Sequence, residues 1–372
     1  MTVRTAGALY EIKAPGEARA PDWAAGPAAA LRALAPAGSA VAVALRRDDR
    51  RAVVTFGATE RDGGVPVTAD TLFETGSLTK CFTALLLAEQ VARGEIGYGD
   101  PLARFLPPEA LPRARGGPIT PLHLVTHTSG LPRQPPGLPA TAVREWFTNP
   151  YARFSTDDLL RSLAATRPRA RPGERVRYSN FGVGLLGHLL TVAAPGHRGY
   201  GDLLAARVLE PLGLRHTTGS PEAGRATQAT GYWHERARPP WRIPGLAGAG
   251  AVRSSARDLL ALLDALTDGG PGDPPGRPGP PPSLRAALTD VVRPRLALRG
   301  GTRRLALVWN IRVRPGGDVY HHSGGTRGFS SFAGFCPDHR TALVALVNTG
   351  PGSAQRFLQG AYEALLSLAP SR

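Results

Sequence analysis

Apolar and polar positions alternate along this chain in two different periods. Residues 24–35, AAGPAAALRALA, read as an Ala-rich helix. Residues 38–60, GSAVAVALRRDDRRAVVTFGATE, hold two short β-prone runs separated by the polar turn Arg47–Arg51, the pattern of a hairpin. From Ser77 the period becomes helical. KCFTALLLA is apolar nearly all round, which predicts a buried helix ending near Arg93-Gly94 with a glycine cap. The segment 95–300 mixes helical stretches such as SARDLLALLDAL (255–266) with Pro/Gly-rich loops. The most extreme of these, DGGPGDPPGRPGPPPS (268–283), predicts a mobile surface insertion without regular structure. Strand-like runs return at 303–313, 327–337 and 341–348, and a last helix is predicted over 354–368. No internal repeat is visible.

Strands at both ends of the chain predict an α/β (α+β) fold built on one antiparallel sheet of five or more strands, with the first and last helices packed against it. Residues 1–75 and 301–372 would form this sheet domain. Residues 76–300 would form a mostly helical domain inserted between its halves, carrying the 268–283 insertion. At 372 residues the chain can bury a large core.

Composition narrows the function classes. Apolar residues make up 42% and charged residues 20%, as in an ordinary globular protein rather than a disordered one. The formal charge of +16 raises a polyanionic partner such as nucleic acid. The arginines are spread through every segment, however, and no RNP, zinc-finger or basic-heptad pattern accompanies them, so a nucleic-acid partner is not expected. Glu11, Lys13 and Glu17 interrupt the N-terminus where a secretory signal would be apolar, and no run reaches membrane-span length. Cys81 and Cys336 are too few for a disulfide framework. The expected compartment is the cytoplasm. Nothing in the sequence sets an oligomeric state.

Lysine occurs twice, at Lys13 and Lys80, and the other 43 of the 45 basic residues are arginines. Arginine keeps its proton in proteins, whereas a desolvated lysine can release one. Lys80 stands three residues after Ser77 in TGSLTK, one helical turn on and on the same face. The free N–H groups of a helix start favour negative charge developing on the hydroxyl, and burial makes the amine a better proton acceptor. Ser-Lys pairs activate serine in several unrelated acyl-transfer enzymes. Alone, S-x-x-K is a weak signal. Two further stretches strengthen it. Tyr178-Ser179-Asn180 precedes an apolar helical run in 176–190, and His322-Ser323-Gly324-Gly325 lies between two strand-like segments in YHHSGGTRGFSSF (320–332).

With these three motifs in this order, the chain resembles the serine β-lactamase and penicillin-binding-protein-like superfamily, in the branch around class C β-lactamases and their esterase relatives. LVTHTSGLP (124–132), GAGAVRSSARDLLALL (248–263) and HSGGTRGFSSF carry the resemblance further, from about residue 38 to the C-terminus. It implies the β-lactamase/transpeptidase-like fold, with Ser77 as nucleophile and Lys80 assisting its deprotonation. Tyr178 would be general base, then acid toward the leaving group. A free phenol titrates near pH 10, so that role needs cations nearby. Asn180 would hydrogen-bond Lys80 or the substrate's acyl side chain. The oxyanion hole would be the N–H groups of Ser77 and Gly325 on the sheet's edge strand, with His322, Ser323 and Gly324 facing the site.

Three departures shape the expected activity. His322 stands where β-lactamases carry the Lys of K-T-G, removing the permanent cation that holds a β-lactam carboxylate. No Glu is identifiable as the deacylating base of class A enzymes. Arg327 occupies a place where the family has a smaller residue or proline, either at the rim binding a substrate anion or simply exposed. The resemblance therefore implies a serine acyl-enzyme hydrolase or acyltransferase acting on an ester or amide of a small molecule. The acceptor would be water, as in a carboxylesterase or D-amino-acid peptidase, or an amine or alcohol, as in a transacylase of specialised metabolism. A non-catalytic acyl-ligand sensor is the reading from a different class.

The other candidates point to structure. His123 and His127 have i, i+4 spacing, but no Glu follows His123 in the H-E-x-x-H manner, so no metal is expected there. His127 is instead expected to support a loop at the site. His321 and His322 are neighbours on a strand and would point to opposite faces. Cys81 reads as a packed thiol, and Trp233, Trp241 and Trp309 read as core or pocket residues. GAGA and SGGTRG lack the G-K-[ST] of a phosphate loop, so no cofactor is inferred.

Overall fold

A strand that is apolar at consecutive positions needs cover on both of its faces. Val41–Arg47 and Thr341–Val347 are such strands, and the computed structural model supplies that cover. It describes residues 9–12, 21–113, 116–220, 227–269, 279–298 and 300–368. The main sheet has nine strands: β1 Leu9–Ile12, β2 Val41–Arg47, β3 Arg50–Phe56, β4 Leu296–Ala297, β5 Arg303–Leu305, β6 Asn310–Arg312, β7 Val319–Gly325, β8 Ser330–Cys336 and β9 Thr341–Val347. Their spatial order is β1-β3-β2-β9-β8-β7-β6-β5-β4. All neighbours are antiparallel except β1, which runs parallel to β3.

The two faces of the sheet bury different partners. Val41, Val43, Leu45, Leu343, Ala345 and Val347 pack with helices α1 (Asp22–Leu34) and α5 (Gln355–Leu368). Ala42, Ala44, Ala342, Val344 and Leu346 face the other way, into one continuous core with the helical body. That body contains α2 (Thr79–Ala92), α3 (Asn180–Ala193) and α4 (Ala256–Asp268). The molecule thus has three layers.

Several expected elements shift. Residues 303–313 form a hairpin of β5 and β6 rather than one strand, because Val308 adopts φ 60° and turns the chain between them. The strand expected around His322 and Gly325 spans 319–325. Tyr320, His322 and Gly324 point inward in alternation, although the histidines and glycines of this segment lack the β-branched side chains that mark a strand. β4 and α4 lie within 76–300 yet belong with the sheet, so the boundary placed at residue 300 does not separate two bodies. β4 pairs with β5, and α4 is tied to β2 by Arg46. The middle of the 268–283 insertion, 270–278, lies outside the described residues. Its flanks are regular: Gly269 caps α4 at φ 73°, and Pro282–Asp290 is helical.

Arg46 has no exposed side-chain surface, and its guanidinium binds Asp264 at 3.0 Å and Asp268 at 2.8 Å. Asp264 also accepts from Arg51 at 2.5 Å. A buried ion deprived of its partners is costly because water cannot replace them. Replacing both Asp264 and Asp268 by Ala should therefore lower unfolding free energy by about 3–5 kcal/mol in urea titrations. A loss under about 1 kcal/mol would mean that solvent reaches the guanidinium freely.

Candidate active site

Ser77 sits in a 3₁₀ turn, Gly76–Leu78, that leads directly into α2. Its position is set from two sides. On one side, Val252 accepts from Thr75 N–H at 3.1 Å and from Thr75 Oγ1 at 2.7 Å, and its own N–H donates to Thr79 Oγ1 at 3.0 Å. On the other, Ser331 Oγ of β8 donates to the Thr75 carbonyl at 2.8 Å. The stretch of β7 beyond its pairing with β6 then closes on the turn. A Cβ at Gly324 would lie 2.1 Å from the Thr75 oxygen and 2.8 Å from the Ser77 nitrogen. A Cβ at Gly76, where φ is 51°, would lie 2.6 Å from the Gly325 nitrogen. Only glycine permits this approach.

The hydroxyl of Ser77 meets two side chains at once. Lys80 Nζ donates to Ser77 Oγ at 2.9 Å, and the Tyr178 hydroxyl approaches the same oxygen at 2.6 Å. Lys80 is fully buried, and its amine also donates to the Ala249 carbonyl at 2.7 Å. Its Nζ lies 5.0 Å from the centre of the Tyr178 ring, and Arg133 Cζ lies 5.5 Å from it. An oxygen held between an amine and a phenol can pass its proton to either.

Tyr178 is held by the loop that follows residues 120–126. Arg177 N–H donates to the His127 carbonyl at 2.8 Å, Ser179 Oγ to the Pro132 carbonyl at 2.7 Å, and Asn180 N–H to the Arg133 carbonyl at 2.9 Å. The His127 ring packs 4.6 Å from the phenol ring, with Nδ1 accepting from Ser179 N–H at 3.3 Å. His123 instead closes a capping box with Thr120. Among the described residues, no three His, Cys, Asp or Glu side chains group as a metal site.

The Gly325 N–H is free of the ladder. Thr326 N–H bonds Phe329 O at 3.0 Å, which makes 326 and 329 a hydrogen-bonded pair, so the adjacent pair Gly325 and Ser330 is non-hydrogen-bonded. Its N–H therefore points outward from β8. β6 pairs only with 319–321, which leaves this stretch of β7 an open edge. With Ser77 N–H it forms a two-donor hole of the kind that stabilises an oxyanion.

Asn180 lines the cavity, but its Oδ1 is buried without a partner, and the second acceptor of the Lys80 amine is Ala249. The alternative of an Asn180–Lys80 bond thus gives way to a backbone carbonyl. Arg327 is half-buried at the rim, donating to the Trp146 carbonyl at 2.9 Å with its guanidinium 4.6 Å over Trp233. Trp233 and Trp241 line the cavity, while Trp309 is buried against Phe335. Sequence reading missed Arg133, Tyr151, Glu74 and the Ala249 carbonyl. Glu74 is buried between the Trp241 N–H and Thr326 Oγ1, each at 2.6 Å, and burial raises its pKa. Its only sequence signal was an acid inside the apolar run LFETG; a backbone carbonyl leaves none. The cavity measures about 960 Å³.

His322 is buried on β7 with Nδ1 bonded to the Ser323 carbonyl at 2.9 Å, while His321 faces Phe332 and Tyr362 on the opposite side. Burial, then the nearby Lys80, push the His322 and His127 pKa values down to about 3. His322 is therefore neutral at physiological pH. Unfolded imidazoles bind protons near pH 6.5, so between there and pH 3 the unfolded chain carries more protons. This contribution to stability is complete above pH 6.5 and is lost as pH falls toward 3. In His322→Asn the slope of unfolding free energy against pH between 4 and 6 should drop by about 1.4 kcal/mol per pH unit. An unchanged slope in pH-dependent urea titrations would place a charged imidazole at the site.

With this geometry in hand, comparison with known proteins gives a consistent result. The chain matches the family described as Beta-lactamase over residues 30–367. The D-alanyl-D-alanine-carboxypeptidase/endopeptidase AmpH of Escherichia coli strain K12 is 26% identical over 311 residues, covering 82% of this chain and 77% of the relative. A beta-lactamase of Pseudomonas fluorescens is 32% identical over 228 residues, covering 60% of this chain and 58% of that protein. A solved beta-lactamase/D-alanine carboxypeptidase from Pseudomonas syringae shares the fold, with a TM-score of 0.73 at 24% identity over 89% of this chain and 94% of that one. The chain belongs to the Beta-lactamase family and is a serine hydrolase of the S-x-x-K type.

Proposed function

We propose that the protein opens a small-molecule ester or amide through an acyl-enzyme on Ser77. The observation that carries this reading is the pair of contacts on one oxygen, Lys80 Nζ at 2.9 Å and Tyr178 hydroxyl at 2.6 Å. Ser77 Oγ attacks the carbonyl carbon as its proton passes to the Tyr178–Lys80 pair. The N–H groups of Ser77 and Gly325 hold the oxyanion, a contribution of about 2.7–4 kcal/mol per donor. Tyr178 returns the proton to the leaving alcohol or amine, and the acyl group stays on Ser77 until a second nucleophile removes it.

Two features bear on the substrate. The neutral His322 supplies no cation for a carboxylate beside the scissile bond, which favours substrates uncharged at that point over β-lactams. Trp146, Tyr151, Trp233 and Trp241 give the cavity aromatic walls suited to an apolar acyl or leaving group. A cavity of about 960 Å³ also has room for an amine or alcohol acceptor beside the acyl group. Transfer to such an acceptor is the second reading, and carboxypeptidase action on a D-alanyl peptide, as the AmpH name describes, is a third.

A fluorophosphonate probe followed by intact-protein mass spectrometry should add one label, and Ser77→Ala should remove it. Tyr178→Phe should slow labelling by about 10²–10⁴-fold. A label that persists in Ser77→Ala would refute the nucleophile. Feeding one activated ester with and without a panel of amines, and quantifying acid against amide, separates hydrolysis from transfer.

A further inference from the structure

A second hollow, about 900 Å³, opens on the α5 side of the edge strands and shares Ser323 and Leu358 with the catalytic cavity. Ser323 shares the outer face of β7 with His321, opposite His322 and Gly324, so the hollow lies across the strand from the reacting serine and the two spaces border each other round its open edge. Arg303, Arg312 and Arg356 line this hollow, and all three are exposed. Arg303 and Arg312 are direct cross-strand partners on β5 and β6. Like charges placed opposite each other destabilise a strand pair. The carboxylate lining the hollow, Glu363, accepts from Gln359. Arg304, next to Arg303 but on the opposite face of its strand, is by contrast matched with Asp318 at 3.4 Å.

We propose that this hollow binds a phosphate group carried by the substrate whose carbonyl is held at Ser77. Planar guanidinium forks suit the several oxygens of a phosphate, and an anion between Arg303 and Arg312 relieves their repulsion. This inference rests on the acyl-enzyme reading above and adds a charged arm to that substrate. It also assigns a place to the negative charge that His322 does not accommodate.

Two measurements test it. The first is calorimetric binding of inorganic pyrophosphate to the full chain. Arg303→Ala/Arg312→Ala should weaken it by about tenfold or more, since bonds to charged groups are the strong ones. Arg167→Ala/Arg169→Ala removes the same charge from a hollow that shares no lining residue with the catalytic cavity, and should leave affinity unchanged. The second compares one acyl ester with its analogue bearing a phosphate at the far end of the alcohol. The ratio of their kcat/KM values should favour the phosphate ester and fall about tenfold in Arg303→Ala/Arg312→Ala. Equal pyrophosphate affinity in the two double variants overturns the site. Pyrophosphate binding that depends on Arg303 and Arg312, without cleavage of either ester, supports the site and overturns the acyl-enzyme reading.

Discussion

A lysine amine with no exposed surface bridges the Ser77 hydroxyl and the Ala249 carbonyl, and the rest of the site is arranged around that bridge. Its hydroxyl partner lies three residues earlier, a spacing the start of a helix provides without help. Its carbonyl partner comes from 169 residues away and must be brought in by packing. That packing is tight. Thr83 Oγ1 donates to the Gly248 carbonyl at 2.6 Å, and a Cβ at Gly248 would lie 2.8 Å from the Gly187 Cα of α3. Small residues in GAGA let this backbone lie against α2 and α3 together, which explains a glycine cluster that serves no phosphate.

The edge of the sheet is the second fixed wall. β7 stands beside the serine because Gly76 and Gly324 present no Cβ, and because Ser331 and Glu74 tie neighbouring backbone across the junction. Glu74 joins the loop holding Trp241 to Thr326, one residue beyond Gly325. Thus one buried carboxylate links the aromatic wall to the oxyanion donor. The absence of β6 opposite 322–325 leaves the Gly325 N–H available to substrate. A hole of this kind needs an unpaired strand edge, and β7 offers one where β6 ends short.

Charge is distributed in a way that separates chemistry from recognition. Lys80 is the buried cation-forming group at the nucleophile, and His322 beside it is held neutral by burial. The arginines stand further out: Arg133 over the Tyr178 ring, Arg327 at the aromatic rim, and Arg303 with Arg312 across the edge. Guanidinium groups keep their protons and cannot serve as acid or base, so they add fixed positive charge without competing for the proton of Ser77.

How much of this was legible in the chain depends on the range of the interaction. The helical period from Ser77 onward set the Ser77–Lys80 spacing, because residues three apart on a helix share a face. The order of the three motifs marked the family, and continuous apolar runs marked strands buried on both faces. β1 pairs with a strand some 40 residues away and carried no local pattern of its own. The turn at Val308 was missed because its conformation is imposed by neighbours rather than by the residue itself. The sequence alone determined which side chains could exchange a proton at Ser77. Tertiary structure decided that Tyr178, 101 residues away, would reach it, and that the Ala249 carbonyl rather than Asn180 would hold the lysine. A backbone carbonyl is the same at every position in a chain, so only packing can choose one.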